Sequence, residues 1–414
     1  MASAGRTSFF TLLLVGLGGL FAGVTGPLAS TFVPILVRDA LGDHRAQIGV
    51  VMAIDNVLLL VLVPCAGVLS DRIIVRGGSR LPLVLAGFGL AAVGMAVFPW
   101  STTFGIWGVI AAIVILFSGI NIERSPFQAL IADLIPSRDR SLATASVTFQ
   151  MCVGAIVFLM LGRLLGMRLA FVVAAATVLA MGMLLAIAVR MPTKATGIAT
   201  EATFRSLAEA TWSAVRGEVP GMRSVFIASV LLQMIFQSFT TWFALHGTER
   251  FGLRPEDVTI GFIAWALGGV IGALPAGMIG ARLGRRKTML LGYVVMFACF
   301  LIVDRVTQLS HAIPLLALAS AGWAFPQVNG YPLFIEHVPP HQRGSLTALF
   351  LLSMALGGGI GDPLNGTLFD FFGSYRPLFV MMAGYTTLAF ATMLFVPHGA
   401  GEAETGTAAV QSAA

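Results

Sequence analysis

Residues 105–120 read GIWGVIAAIVILFSGI, and no charged residue interrupts them. Stretches of this kind recur along the whole chain, separated by short polar breaks. Each is long enough to cross a bilayer core, which takes about 20 apolar residues as a helix. Only helices and closed barrels satisfy their backbone groups in lipid, so runs of this length predict an all-α integral membrane protein. Composition agrees: of 414 residues, 57% are hydrophobic and 11% charged. An ordinary soluble domain is about 25% charged, so a soluble fold could not cover this much apolar surface. The lipid bilayer is therefore an expected partner.

Twelve spans are expected, near 9–37, 47–69, 81–100, 104–132, 143–165, 169–190, 223–246, 258–280, 288–306, 312–335, 345–366 and 377–396. Arg6 followed by an apolar run imitates a signal peptide. The run continues past residue 25 without a clear cleavage site, so it reads as the first span. The longest break, 191–222, divides the spans six and six. The expected organisation is a bundle over 1–190, a cytoplasmic linker over 191–222, a second bundle over 223–397 and a disordered tail over 398–414. Within the linker, TFRSLAEATWSAVR (203–216) reads either as an interfacial helix or as a solvated one.

The halves repeat. Span 2 ends PCAGVLSDRIIVRGGSR and span 8 ends LPAGMIGARLGRRK, which matches Gly67 with Gly277, Arg72 with Arg282, and Asp71 with Ala281. Span 4 ends ADLIPSRDRSLATA and span 10 ends IEHVPPHQRGSLTA. There Asp133 matches Glu336 and Arg140 matches Arg343. Duplicated six-helix halves are a transporter architecture, with the solute path between them. Lys and Arg favour the segments on the N-terminal side of the membrane by about two to one, which places both termini in the cytoplasm.

Twelve spans, the six-six repeat and GVLSDR after span 2 resemble the major facilitator superfamily over nearly the whole chain. The resemblance implies two pseudo-symmetric six-helix bundles, and a multi-pass carrier of the plasma or inner membrane. One departure is visible: the usual Arg-Arg cluster after the glycine is spread out as Arg76, Gly77, Gly78, Ser79, Arg80. Within the superfamily, GPLASTFVPILV, IGVVMAIDN and RSPFQALIADLIPSRDRSLATA are similar to the sucrose-type proton symporters and their bacterial relatives. That branch ties an acid of span 4 to proton coupling, a role the motif would put on Asp133. The Gly-Pro pattern of drug antiporters is missing from span 5.

Several polar residues stand out within the spans. Asp55 lies about 12 Å into span 2 with no base beside it; it must bind a proton or a partner there, as a coupling site would. Glu123 and Arg124 are adjacent, so they point about 100° apart and cannot pair on one helix face. Arg124 can hold solute hydroxyls with its five donors, and Glu123 can carry the proton. A fixed salt bridge to another helix is the alternative for both, and for Asp55 the alternative is a protonated or hydrogen-bonded acid that only packs against span 11 or span 1. Asn56 and Gln128 belong to the same set.

The second half contributes neutral polar groups: Gln233, Gln237 and Trp242 on span 7, Trp265 on span 8, and Gln327 and Asn329 on span 10. Amides and aromatic faces suit a polyhydroxy ligand. Plain inter-helix hydrogen bonding is the alternative reading. His246 reads as interfacial.

A cytoplasmic gate is expected from Gly67, Asp71, Arg72, Arg80, Asp133 and Arg140 and their counterparts Gly277, Arg282, Arg286, Glu336 and Arg343. While the carrier is open outward, Asp133 is expected to pair with Arg72 and Glu336 with Arg282, both pairs breaking on opening inward, and Asp71 is expected to cap the start of span 11. Gly67 and Gly277, like Gly268/Gly272 and Gly357/Gly361, read as close-packing positions.

Cys65, Cys152 and Cys299 lie inside spans without ligand spacing. The net charge of +6 sits in short loops and forms no nucleic-acid patch. No phosphate loop, metal cluster or nucleophile-base set is present, so neither a nucleotide-driven pump nor an enzyme is expected. The reading is a monomeric secondary carrier without cofactor, coupled to protons, for a small solute, by preference a neutral sugar or disaccharide. The rival solutes are an organic anion or an amphipathic drug. The rival from another class is a transporter-like sensor that moves nothing.

Overall fold

The computed structural model describes residues 8–136, 139–189, 221–336 and 343–396. The linker and tail readings over 191–220 and 398–414 lie outside the described residues.

Helix α1 (Phe9–Leu41) starts at Ser8, whose hydroxyl accepts the Phe10 amide at 3.3 Å. Helices α2 (Arg45–Met52) and α3 (Ile54–Val75) form one span with an interruption at Ala53. Helix α4 is Leu81–Val97, and a short 3-10 turn, Phe98–Phe104, leads into α5 (Gly105–Leu134). Helix α6 (Arg140–Ala188) carries two spans. It breaks at Gly166, whose φ of 76° and ψ of 165° only glycine holds without strain. The remaining helices are α7 (Met222–Phe251), α8 (Pro255–Leu283), α9 (Arg285–Arg305), α10 (Leu309–Glu336), α11 (Arg343–Phe372) and α12 (Leu378–Leu394). With α2 and α3 counted together and α6 divided at Gly166, the described residues make twelve helical spans.

The apolar surface is consistent with lipid. Trp107, Leu274 and Phe371 are each more than 70% exposed, as they would be against acyl chains. Inside, the helices approach closely through small residues, the usual device where lipid removes the hydrophobic drive between helices. A Cβ at Gly19 would lie 1.9 Å from the Val147 carbonyl oxygen, which fixes α1 on α6. A Cβ at Gly268 would lie 2.0 Å from the Ala317 oxygen, which fixes α8 on α10. Phe21 of α1 stacks on Phe88 of α4 at 4.3 Å, and Phe88 packs on Phe127 of α5.

Two compact units result. The first holds α1 to α6 with Leu253–Ile263 from the start of α8. The second holds α7, α8 from Ala264 onward, and α9 to α12.

Candidate functional site

In the first unit, a polar cluster lies where α3 meets α5. Asp55 sits two residues past the Ala53 interruption. Asn121 of α5 donates its Nδ2 to Asp55 Oδ1 at 3.1 Å and to the Phe117 carbonyl at 2.9 Å. Arg124, three residues on, is a neighbour of Asn121 on the same helix face. Its charge acts on both Asp55 and Glu123. Glu123 points elsewhere: a Cβ added at Gly87 of α4 would lie 2.6 Å from Glu123 Cβ. Its carboxylate is buried, and Oε2 has no hydrogen-bond partner among the described residues. Asn56 is also buried, with Nδ2 unpartnered among the described residues, whereas Gln128 is exposed. The amide of Asn121 thus holds Asp55, while Glu123, buried against α4, takes no part in that bond.

A second group of charges closes the far ends of α3, α4 and α5. Arg80 Nε donates to Asp133 Oδ2 at 2.9 Å, and Nη1 donates to Asp71 Oδ1 at 2.6 Å and Ser70 Oγ at 2.7 Å. The expected Asp133–Arg72 pair is therefore corrected: Asp133 meets Arg80. The cause is local. Gly77, at φ 78°, ends α3 in a left-handed cap, with Gly77 N–H on the Ile74 carbonyl and Gly78 N–H on that of Ile73. The chain then turns back and returns Arg80 to the last turn of α3, where it is buried. Arg72, rotated about 100° from Asp71, stays exposed. The same contact changes the reading of Asp71, whose described partner is Arg80 rather than a helix start. Gly67 meets α5, since a Cβ there would come 2.8 Å from Ser125 Oγ. Arg140 is exposed at the first turn of α6.

The second unit uses its polar groups differently. Gln233 of α7 donates to Gln327 of α10 at 3.2 Å. Gln237 Nε2 and Trp242 Nε1 each donate to Asp362 of α11, at 3.2 Å, one to each carboxylate oxygen. Trp242 is fully buried beside Phe369 and Tyr375, and Trp265 stacks on Phe239 at 4.1 Å. Asn329 ties α10 to α8 through the Ala276 carbonyl at 3.0 Å. The close approach there is at Gly280, where a Cβ would lie 2.0 Å from Asn329 Oδ1; Gly277 has nothing nearer than 4.0 Å. His246, near the end of α7, is 2% exposed and its Nδ1 lies 2.9 Å from the Tyr375 carbonyl oxygen.

Of the bases expected at the second gate, Arg282 is exposed without a side-chain partner among the described residues. Arg286 donates to the Met393 and Leu394 carbonyls, at 3.0 and 2.9 Å, closing the last turn of α12. The backbones of Glu336 and Arg343 end α10 and begin α11, but their side chains fall outside the described set, and so does the Glu336–Arg282 pairing.

Sequence reading passed over Asp362, Asn365, Tyr385 and Asn121. Tyr385 of α12 donates to Asn365 Oδ1 at 2.8 Å, and Asn365 donates to Ser238 Oγ at 2.7 Å. The available signal was a lone acid inside an apolar span, in GGGIGDPLNG. It was masked by Pro, Asn and Gly neighbours of the kind that mark turns.

The chain belongs to the Major Facilitator Superfamily, whose profile matches residues 12–266 and 248–413. It is a multi-pass membrane transporter of a small molecule, with the major facilitator fold, and not an enzyme. A class E tetracycline resistance protein of Escherichia coli is 26% identical over 364 residues, 85% of this chain and 86% of that one. The nucleoside transporter NupG superimposes with a TM-score of 0.72 at 15% identity, covering 93% of this chain and 98% of that one. A variant of the Escherichia coli fucose:proton symporter FucP does so with a TM-score of 0.58 at 16% identity, covering 94% and 99%.

Proposed function

We propose that this chain is a secondary active carrier that works by alternating access and couples solute movement to a proton gradient. The observation that supports it best is the cluster of Asp55, Asn121, Glu123 and Arg124. Carboxyls held inside a membrane helix bundle are expensive and mark ion or proton pathways. One guanidinium whose charge acts on two carboxyls can stabilise one ionised acid more readily than two, which suits a site that gains and loses a proton. In this reading 1–190 and 223–397 are the two moving bundles, joined by the linker 191–222. Both termini face the cytoplasm of the plasma or inner membrane, and the carrier works as a monomer. The Arg80–Asp71–Asp133 cluster belongs to the cytoplasmic gate, and Arg124 meets the solute. The coupling ion is the proton, with no other cofactor.

For the solute, a neutral sugar or disaccharide moving with the proton is the reading drawn from the disaccharide-carrier-like stretches. A second reading, proton-linked movement of an amphipathic compound, has two observations in its favour. A tetracycline resistance protein aligns over 85% of the chain. The second unit's amides also bond protein partners, Gln233 with Gln327 and Gln237 with Asp362, which leaves fewer donors for sugar hydroxyls. Purified protein in liposomes with an entrapped pH dye, offered sucrose, maltose or tetracycline under an imposed pH gradient, separates these. Sucrose or maltose flux with proton movement supports the first reading; tetracycline flux with it supports the second. Solute flux without proton movement overturns the coupling, and ligand binding without flux would make the chain a sensor.

A further inference from the structure

We infer that Asp362 is a second proton-carrying carboxyl of this carrier, and that its charge governs whether α7 is tied to α11. The inference rests on the proton-coupled reading above, and adds to it a site in the other unit.

Asp362 is fully buried on α11. Both oxygens accept from α7: Oδ1 from Trp242 Nε1 and Oδ2 from Gln237 Nε2. The two donors are five residues apart and come from different turns, so the carboxylate spans more than one turn of α7. Neighbouring polar groups extend the tie. Asn365, three residues on and on the same face of α11, bonds Ser238 of α7 and receives the Tyr385 hydroxyl from α12. The groups that face Asp362 from α7 are therefore a neutral amide and a neutral indole. His246, one turn beyond Trp242, is engaged with the Tyr375 carbonyl. From α12 the titratable neighbour is Tyr385, on which the Asp362 charge acts. From α10, Gln327 is bonded to Gln233, one turn before Gln237.

This arrangement makes the contact charge-dependent. An ionised carboxylate accepts both N–H bonds, and such charge-assisted bonds are about twice as strong as neutral ones. When a proton from the aqueous phase adds to one oxygen, that oxygen becomes an O–H donor. It then no longer serves as an equal acceptor, and one of the two ties to α7 weakens. The proton returns to water when the carboxyl ionises and both ties reform. A carboxyl fixed at two points on a neighbouring helix therefore converts protonation into a looser helix pair.

The test uses the full chain in liposomes and needs no known ligand for its first part. Infrared difference spectra across an acid-to-alkaline titration should contain a protonated-carboxyl carbonyl band that Asp362→Asn removes and Asp55→Asn leaves in place. Trp242→Phe keeps the carboxyl but removes one donor, and it should move the pH at which the band appears. If Asp362→Asn does not fold, the Trp242→Phe shift decides, and an unmoved band overturns the inference. A full set of bands in folded Asp362→Asn also overturns it. The second part records proton movement per solute with sucrose and tetracycline as probes. A fall in that ratio in Asp362→Asn supports the site; an unchanged ratio, with wild-type coupling intact, sinks Asp362 alone. Wild-type flux without proton movement sinks the coupled reading instead, whatever the spectra of Asp362.

Discussion

The two units share a helical plan but not an electrostatic one. In the first, buried and half-buried acids lie near bases: Arg80 bridges Asp71 and Asp133, and the charge of Arg124 acts on Asp55 and Glu123. In the second, the buried acid Asp362 accepts from Gln237 and Trp242, while Arg286 closes a helix end. The sequence difference beneath this is small. Asp71 has Ala281 as its repeat counterpart. Arg286, in the first turn of α9, donates to the Met393 and Leu394 carbonyls. A duplicated scaffold thus keeps its helix packing, through Gly19 in one unit and Gly268 in the other, while single substitutions redirect its charges.

The largest effect expected from breaking this difference is at Arg80. Its side chain is 6% exposed and it meets two carboxylates. Arg80→Ala leaves Asp133, itself 5% exposed, without its base. Removing one partner of a buried ion pair costs about 3–5 kcal/mol. Equilibrium unfolding in mixed micelles should show a loss of that order, and Asp133→Asn should show a smaller one because the amide still accepts from Arg80. A loss below about 1 kcal/mol for Arg80→Ala would mean that the cluster is screened like a surface pair.

The next effect is functional. Asp55→Asn keeps an acceptor for Asn121 but cannot carry a proton. Proton-driven accumulation should fall about tenfold or more, equivalent to about 1.4 kcal/mol, whereas counterflow exchange should persist. Uptake against a gradient at the wild-type level would remove Asp55 as the coupling group. A third, smaller effect belongs to the second unit: Arg286→Ala should cost about 1 kcal/mol, the scale of a cation at a helix C-terminus. The same unfolding measurement should rank it clearly below Arg80→Ala. Equal losses would abolish the contrast between the units.

Much of this was legible because lipid imposes simple rules. Spans follow from apolar runs, and the Glu123–Arg124 divergence follows from helix rotation alone. The small-residue spacing at Gly268 and Gly272 pointed to close packing, and α10 does approach there. Other features depend on geometry that sequence spacing does not carry. Arg72, adjacent to Asp71 and matched in the repeat, was the natural partner for Asp133. The left-handed turn at Gly77 instead delivers a residue nine positions after Asp71. The spread-out motif, Arg76 to Arg80, was the visible trace of that turn. Similarly, Gln237 and Trp242 read as ligand groups because their acceptor, Asp362, lies 120 or more residues away on another helix.

The smallest predicted effect tests this correction most sharply, because it sets two neighbouring arginines against each other. Arg72 and Arg80 both follow Asp71, and both carry the same charge at the same end of the helix. If net charge at that end mattered, removing either would cost alike. The geometry says otherwise: Arg80 is enclosed by Ser70, Asp71 and Asp133, and Arg72 is exposed. Arg72→Ala should therefore change stability by no more than about 0.5 kcal/mol, as exposed substitutions do. Its repeat counterpart Arg282→Ala should behave the same way, since Arg282 is exposed too. Unfolding midpoints for Arg72→Ala, Arg80→Ala and the double variant close a cycle. Additive losses would show that the two bases act independently, as side chains with no common partner should. A coupling energy above about 0.5 kcal/mol would place Arg72 within the Asp71–Asp133 cluster after all.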